Sequence, residues 1–314
     1  MKEADWIEFF CKRFGHCSHP ALEKGVGDDA ALIRIGEEMW AISIDAQVEG
    51  VHFRLDWIDP YALGIRAVRA ASSDLPAVGA RAAFVLLSYE VPPSLVEKIG
   101  ELTEGAAQAC EELGAVVAGG NLSRGPALAI HTVVLGPVEG RPLLRSAAKA
   151  GDRIWVTGRV GEAALGLEAL LRGERLPLFQ PFIERWRRLV NRKEEGLAIA
   201  KFAHAAIDLS DGLGKDLSRI LEASGVGATI ELDRLPLAPN AHAAAQKLGL
   251  DAIELAINGG EDHELLFTAP KEIDWSAIAT PIGWIEEEPG LFALRDGKKN
   301  AITPRGFDHF SKDG

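Results

Sequence analysis

Gly27-Asp28-Asp29-Ala30-Ala31-Leu32-Ile33-Arg34-Ile35 and, across the turn-like Gly36-Glu37-Glu38, Trp40-Ala41-Ile42-Ser43-Ile44-Asp45 read as two strands whose ends carry carboxylates. A run of small and apolar residues at helical spacing then leads into Ser72-Ser73-Asp74. Asp28, Asp29, Asp45 and Asp74 all stand beside Gly or small residues, and no nearby residue in sequence neutralises them. Such a set wants a cation. Hard carboxylate oxygens suit Mg²⁺, which takes one or two protein carboxylates and completes its shell with water and substrate phosphates. Strand ends are rigid platforms for such groups. The expectation is a magnesium-nucleotide site built largely from the N-terminal half, although a Gly-Asp-Asp by itself is more often a capped turn.

Working outward, residues 4–15 read as an amphipathic lid or packing helix and 60–78 as a helix with Arg66 and Arg69 off its apolar face. Phe84 to Tyr89 is a strand, 94–113 a helix, 115–118 a strand closing at Gly119-Gly120-Asn121, and 128–135 another strand. Alternation of this kind makes an α/β layer. The Gly- and Pro-rich stretch 136–142 marks a boundary, so the expected domains are 1–140 and 141–314. In the second part, 153–157 is a strand, a helix runs toward Leu171, and 172–193 is basic with Trp186 inside it. Those arginines read either as a solvated helix face or as phosphate contacts.

The second concentrated motif is Ala206-Ile207-Asp208-Leu209-Ser210-Asp211-Gly212-Leu213-Gly214. A strand ends in three oxygen-bearing side chains and enters a helix, whose first N–H groups are expected to point at a phosphate. Residues 239–257 read as one helix, and Gly259-Gly260-Glu261-Asp262-His263 leads into a strand at 265–268. His263 alone reads as a packed histidine. Neither a Walker A pattern nor a kinase Gly-rich loop is present, so carboxylate-held Mg²⁺ has to replace such a cradle.

Composition bounds the partners. The 314 residues exceed one ordinary core, and 47% hydrophobic with 25% charged residues is a globular balance. A formal charge of -12 argues against nucleic acid or an anionic membrane as partner. Cys11, Cys17 and Cys110 form no metal or disulfide pattern, and Met1-Lys2-Glu3-Ala4-Asp5-Trp6 has no signal pattern, so a soluble cytoplasmic protein is expected.

The ordered series Gly27-Asp28-Asp29-Ala30-Ala31, Asp45, Val48-Glu49-Gly50-Val51-His52-Phe53, Ser73-Asp74-Leu75, Gly119-Gly120, Arg145-Ser146, Asp208-x-Ser210-Asp211-Gly212, Gly259-Gly260-Glu261-Asp262 and Gly306-Phe307-Asp308-His309-Phe310 resembles the thiamine-monophosphate kinase family. That family lies in the superfamily of aminoimidazole ribonucleotide synthetase and selenophosphate synthetase, and the resemblance covers nearly the whole chain. It implies an α/β (α+β) fold of two domains, the N-terminal sheets pairing across a homodimer. The implied activity is ATP-dependent phosphorylation of thiamine monophosphate to thiamine diphosphate with several Mg²⁺ ions. Carried over by position, Asp29, Ser43, Asp45, Asp74, Asn121, Asp208 and Asp211 would hold metal. Gly120, Asn121, Arg145 and Ser210 would meet ATP, and His52, Glu261 and Phe307 the thiamine phosphate. No residue is expected to act as a covalent nucleophile. The chain departs from the family where Asn121 replaces an Asp, Ile44 a Thr and Thr103 a Tyr. A paralogue with weakened or absent turnover and a superfamily relative with another acceptor are the rival readings.

Overall fold

The computed structural model describes residues 3–16, 18–307 and 309–310; Cys17 and Asp308 lie outside the described residues. In the N-terminal part α1 (Glu3–Phe14), β1 (Leu22–Lys24), β2 (Ala31–Ile35), β3 (Glu38–Val48), α2 (Pro60–Ser72), α3 (Asp74–Ala77), β4 (Phe84–Val91), α4 (Ile99–Leu113), β5 (Val116–Arg124) and β6 (Ala129–Pro137) follow in order. The strands form a six-stranded sheet, β1-β2-β3-β6-β4-β5, antiparallel except for the parallel β4–β5 pair. Asp59 starts α2 by accepting the N–H of Ala62 at 2.8 Å, with Pro60 in the first turn, where its missing N–H costs nothing. α2 and α4 meet almost backbone to backbone. A Cβ on Gly64 would fall 2.1 Å from the Leu102 carbonyl and one on Gly105 1.9 Å from that of Tyr61, so neither position admits a larger residue.

The C-terminal part carries β7 (Arg153–Thr157), α5 (Glu162–Leu171), α6 (Gln180–Arg187), α7 (Lys193–Ile199), β8 (Ala205–Asp208), α8 (Leu213–Ser224), β9 (Gly227–Glu231), α9 (Ala241–Lys247), α10 (Ala252–Asn258), β10 (Leu265–Ala269), β11 (Ala279–Glu286), β12 (Gly290–Arg295) and β13 (Lys298–Ala301). Its seven strands run β13-β12-β9-β11-β7-β10-β8. One buried cluster joins Leu63, Val68 and Leu102 of the first part to Leu165, Phe182 and Trp186 of the second, so the two sheets share packed helices between them.

Four expectations change. The 239–257 helix is two, because Gly249 takes φ +71 and Asp251 caps a new start at Ala252, accepting the Ile253 N–H. The strand expected to close at Gly119 continues through both glycines to Arg124 as the sheet's edge. Trp6, Phe9, Phe10 and Phe14 of α1 stay 40–51% exposed and contact one another along their own helix, so among the described residues α1 leaves much of its apolar surface uncovered. Arg66, read as lying off the apolar face, is fully buried, and its partners are described below.

Candidate active site

The carboxylates of the opening stretch converge with the second motif. Asp29 precedes β2, Ser43 and Asp45 alternate along β3, Asp74 opens α3 where α2 stops, and Asp208 ends β8. Asp29, Asp74 and Asp208 each offer an oxygen within 4.8 Å of the others. Ser43 Oγ donates to Asp74 Oδ2, and Ser73 Oγ donates to Asp208 Oδ2 at 2.8 Å. His263 Nδ1 lies 3.0 Å from Ser73 Oγ and 3.4 Å from Asp208. That histidine is buried and held at φ +47, so it is a packed group that orients Asp208.

Crowding sets the electrostatics. Burial, with Asp208 and Asp28 adding to it against Arg145, pushes Asp29 up to about 7. Burial also raises Asp45, and burial with the neighbouring Asp208 and Asp29 charges raises Asp74 far above the ordinary carboxylate range. Burial acts on Asp208 too, but there the His263 and Ser73 hydrogen bonds and the Arg145 charge win, and it titrates low. The cation hydrogen-bonded to this set is Arg145, which grips Asp29 through Nη2 at 2.7 Å and Nε at 3.2 Å. Four carboxylates against one guanidinium and a histidine leave negative charge without compensation in a buried place. That is the donor set a hard divalent ion satisfies. Mg²⁺ fits the residues present.

The acids open on a cleft of about 680 Å³ that also takes in His52, Ser210, Asp211, Glu261, Phe307 and His309. Its floor is fixed by a clamp. Arg66, fully buried on α2, donates from Nε to Gln47 Oε1 at 3.1 Å, from Nη1 to the Trp186 carbonyl and from Nη2 to Glu261 Oε1. It also lies 4.5 Å over the Trp186 ring, whose Nε1 donates to Glu261 Oε2 at 2.6 Å. Glu261 sits at φ +70, in a loop where a Cβ on Gly260 would fall 2.4 Å from the Ser210 carbonyl. At the rim the rings of His52 and His309 are 5.1 Å apart, and Phe307 meets His309 edge-on at 4.7 Å.

Comparison with known proteins agrees with this geometry. Residues 27–138 match the AIR synthase related protein, N-terminal domain, and residues 149–293 the corresponding C-terminal domain. Thiamine-monophosphate kinase of Aquifex aeolicus (strain VF5) is 36% identical over 292 residues, 91% of this chain and 93% of the relative. The chain belongs to the thiamine-monophosphate kinase family. The same-named protein of Escherichia coli (strain K12) is 36% identical over 312 residues, covering 92% and 93% of the two chains. A solved structure of AaThiL complexed with AMPPCP and TMP superposes with a TM-score of 0.90 at 34% identity, covering 98% of this chain and 97% of that one.

Not every residue expected from the family joins the cleft. Gly120 and Asn121 lie on β5, three strands from Asp45 in the sheet order, roughly 14 Å at the usual strand spacing. Asn121 faces away from the acids, its Nδ2 lying 3.4 Å from Ser88 Oγ, so it is no ligand of this cluster within one chain. Two N–H groups just ahead of α8 are already taken up within the chain. Those of Asp211 and Gly212 both donate to Asp216 Oδ2 at 3.0 Å. Arg185 and Arg192, in the basic stretch, bind the buried Glu264 instead of facing the cleft. Arg66 and Trp186 escaped sequence reading because an arginine among alanines at helical spacing looks solvated until the partner carboxylate, 195 residues away, is placed beside it.

Proposed function

We propose that this protein transfers the γ-phosphoryl group of ATP to the phosphate of thiamine monophosphate in the cleft between its two sheets. The observation that carries the reading is the convergence of Asp29, Asp74 and Asp208 within 4.8 Å, two from the first sheet's region and one from the second. The relative of known structure was solved with AMPPCP, a methylene-bridged ATP analogue, together with TMP. Asp29, Asp74 and Asp208 would hold Mg²⁺, with Asp45 and Ser43 beside them, and the metal supplies charge neutralisation for the phosphates.

The chain's own residues do the rest by position. Arg145 is held against Asp29, where its guanidinium would meet phosphate oxygens, and Ser210 lines the cleft beside Asp208. The acceptor is a phosphate oxygen already ionised near neutral pH, so in-line placement suffices and no general base is needed. Leu167, Leu250 and Leu255 form an apolar wall of the cleft, with Glu168, Asp251 and Glu254 among them. Apolar walls with acidic groups suit flat rings carrying a positive thiazolium. His52, Phe307 and the clamped Glu261 line the same cleft.

The working unit is a homodimer in this reading. Ile44, Phe84, Leu86 and Val116 are 37–65% exposed on the face of the first sheet away from α2 and α4, and β5 is an open, apolar edge. Such a surface calls for a partner, and a second copy supplies the matching face. Among the described residues no helix is long and apolar enough to cross a membrane; the reaction is assigned to the cytoplasm. The test is direct. Purified protein with ATP and Mg²⁺ is expected to convert thiamine monophosphate to thiamine diphosphate, detected by chromatography, and Asp74→Asn to lose that turnover while still folding. No product from the wild-type protein at saturating ATP and Mg²⁺ would sink the proposal.

A further inference from the structure

We infer that the Asp211 carboxylate is neutralised by this chain's own cations, Lys215 and Arg219, in place of a metal ion, and that Lys215 uses this anchor to hold the tail at Phe307 over the cleft. The inference rests on reading the cleft as the phosphoryl-transfer site. Family resemblance places a further ion at Asp211, and the geometry there does not fit one. Asp211 Oδ2 receives Arg219 Nη2 at 2.5 Å and Lys215 Nζ at 2.9 Å. Arg219 Nη1 donates to Asp216 at 2.8 Å, and Asp216 is the fully buried carboxylate that also takes the Asp211 and Gly212 N–H groups. Lys215 and Arg219 stand one helical turn apart on α8, so both reach back to the same acid.

Charge decides between ion and side chain. Lys215 Nζ also lies 3.4 Å from Glu3 Oε2, so with Asp216 ionised three acids and two cations leave a single negative charge, and with Asp216 protonated the group is neutral. In neither state does it call for a divalent ion. Asp29, Asp45, Asp74 and Asp208 have one guanidinium among them and do. An ion at Asp211 would have to displace two cations and then sit beside them, which like-charge repulsion opposes.

Lys215 has a second task. Its Nζ donates to the Phe307 carbonyl at 2.5 Å, the Phe307 N–H donates to the Asp211 carbonyl at 3.4 Å, and the Arg305 N–H donates to Asn258 Oδ1 at 3.0 Å. Between them, a Cβ on Gly306 would fall 2.6 Å from Lys215 Cδ, so the tail's backbone lies directly on the lysine stem. Lys215 is therefore a positioning residue for the aromatic at the acceptor end.

The experiment counts metal without turnover. Mn²⁺ is titrated into the full-length protein with AMPPCP, and free ion is read by electron paramagnetic resonance. Asp211→Asn is expected to bind as many Mn²⁺ ions as wild type, and Asp74→Asn at least one fewer. Lys215→Met, which keeps the stem and drops the charge, is expected to raise KM for thiamine monophosphate about tenfold, the worth of one charge-assisted hydrogen bond, with kcat little changed. Lys215→Arg is expected to restore it. Loss of an ion in Asp211→Asn, or an unchanged KM in Lys215→Met, overturns the inference and leaves the kinase reading standing. An unchanged count in Asp74→Asn overturns the cleft reading and the inference with it.

Discussion

Replacing Arg66 by Met removes the cation that ties the two halves of the molecule together at the substrate end of the cleft. The Arg66 side chain is fully buried, and Glu261, its partner, is 24% exposed. The methionine fills much of the space but leaves a half-buried carboxylate, a Gln47 amide oxygen at 3.1 Å and the Trp186 carbonyl without their donor. Breaking a buried pair from one side costs about 3–5 kcal/mol. Water can reach Glu261, which puts the expected cost at the lower end, about 3 kcal/mol. At about 2–4 °C per kcal/mol for a chain of this class, the melting temperature should fall by roughly 6–12 °C. Circular dichroism melts of wild type, Arg66→Met, Glu261→Gln and the double variant measure it. The double variant, with no stranded charge, should recover a good part of the loss, giving a coupling of about 1–3 kcal/mol. Arg66→Lys should fall between, since an ammonium cannot serve three acceptors in a planar fork. An Arg66→Met melt within about 2 °C of wild type, or strictly additive losses in the double variant, would refute the clamp.

Two further outcomes follow from local geometry. Asp262 is buried at the N-terminus of α5, accepting the Gly161 N–H at 2.6 Å and the Ala163 N–H at 3.1 Å, and burial pushes its carboxyl up from 3.8 to about 6. A folded pKa above the unfolded one means this group's stabilising contribution is complete below pH 4 and lost as pH rises through 6, on the order of 3 kcal/mol. Asp262→Asn cannot ionise, so the wild-type-minus-variant stability from urea melts should decline between about pH 4 and 6 and level off above; a constant difference contradicts the assignment. Gly260→Ala drives a Cβ to 2.4 Å from the Ser210 carbonyl. It should cost about 1–3 kcal/mol and raise KM for ATP, because the loop that seats Ser210 must move; a variant with wild-type melt and KM speaks against that close approach.

The residues themselves announced much of this protein. Alternating apolar runs gave most of the strands and helices, and the acid-bearing motifs carried the family resemblance that the relatives bear out. Reading failed where the answer depends on what lies across the fold. A helical period cannot tell that Arg66 is buried, because the reason is a glutamate 195 residues away. A family motif cannot tell that Asp211 is already served by Lys215 and Arg219, since charge compensation is a property of a place and not of a spacing. Nor can a Gly-Gly-Asn reveal that it rides an edge strand away from the acids it was expected to join. Sequence thus determined which groups exist and which elements carry them. Only the tertiary structure decided which carboxylates stand together uncompensated and which are neutralised, because electrostatic energy is set by distance and burial.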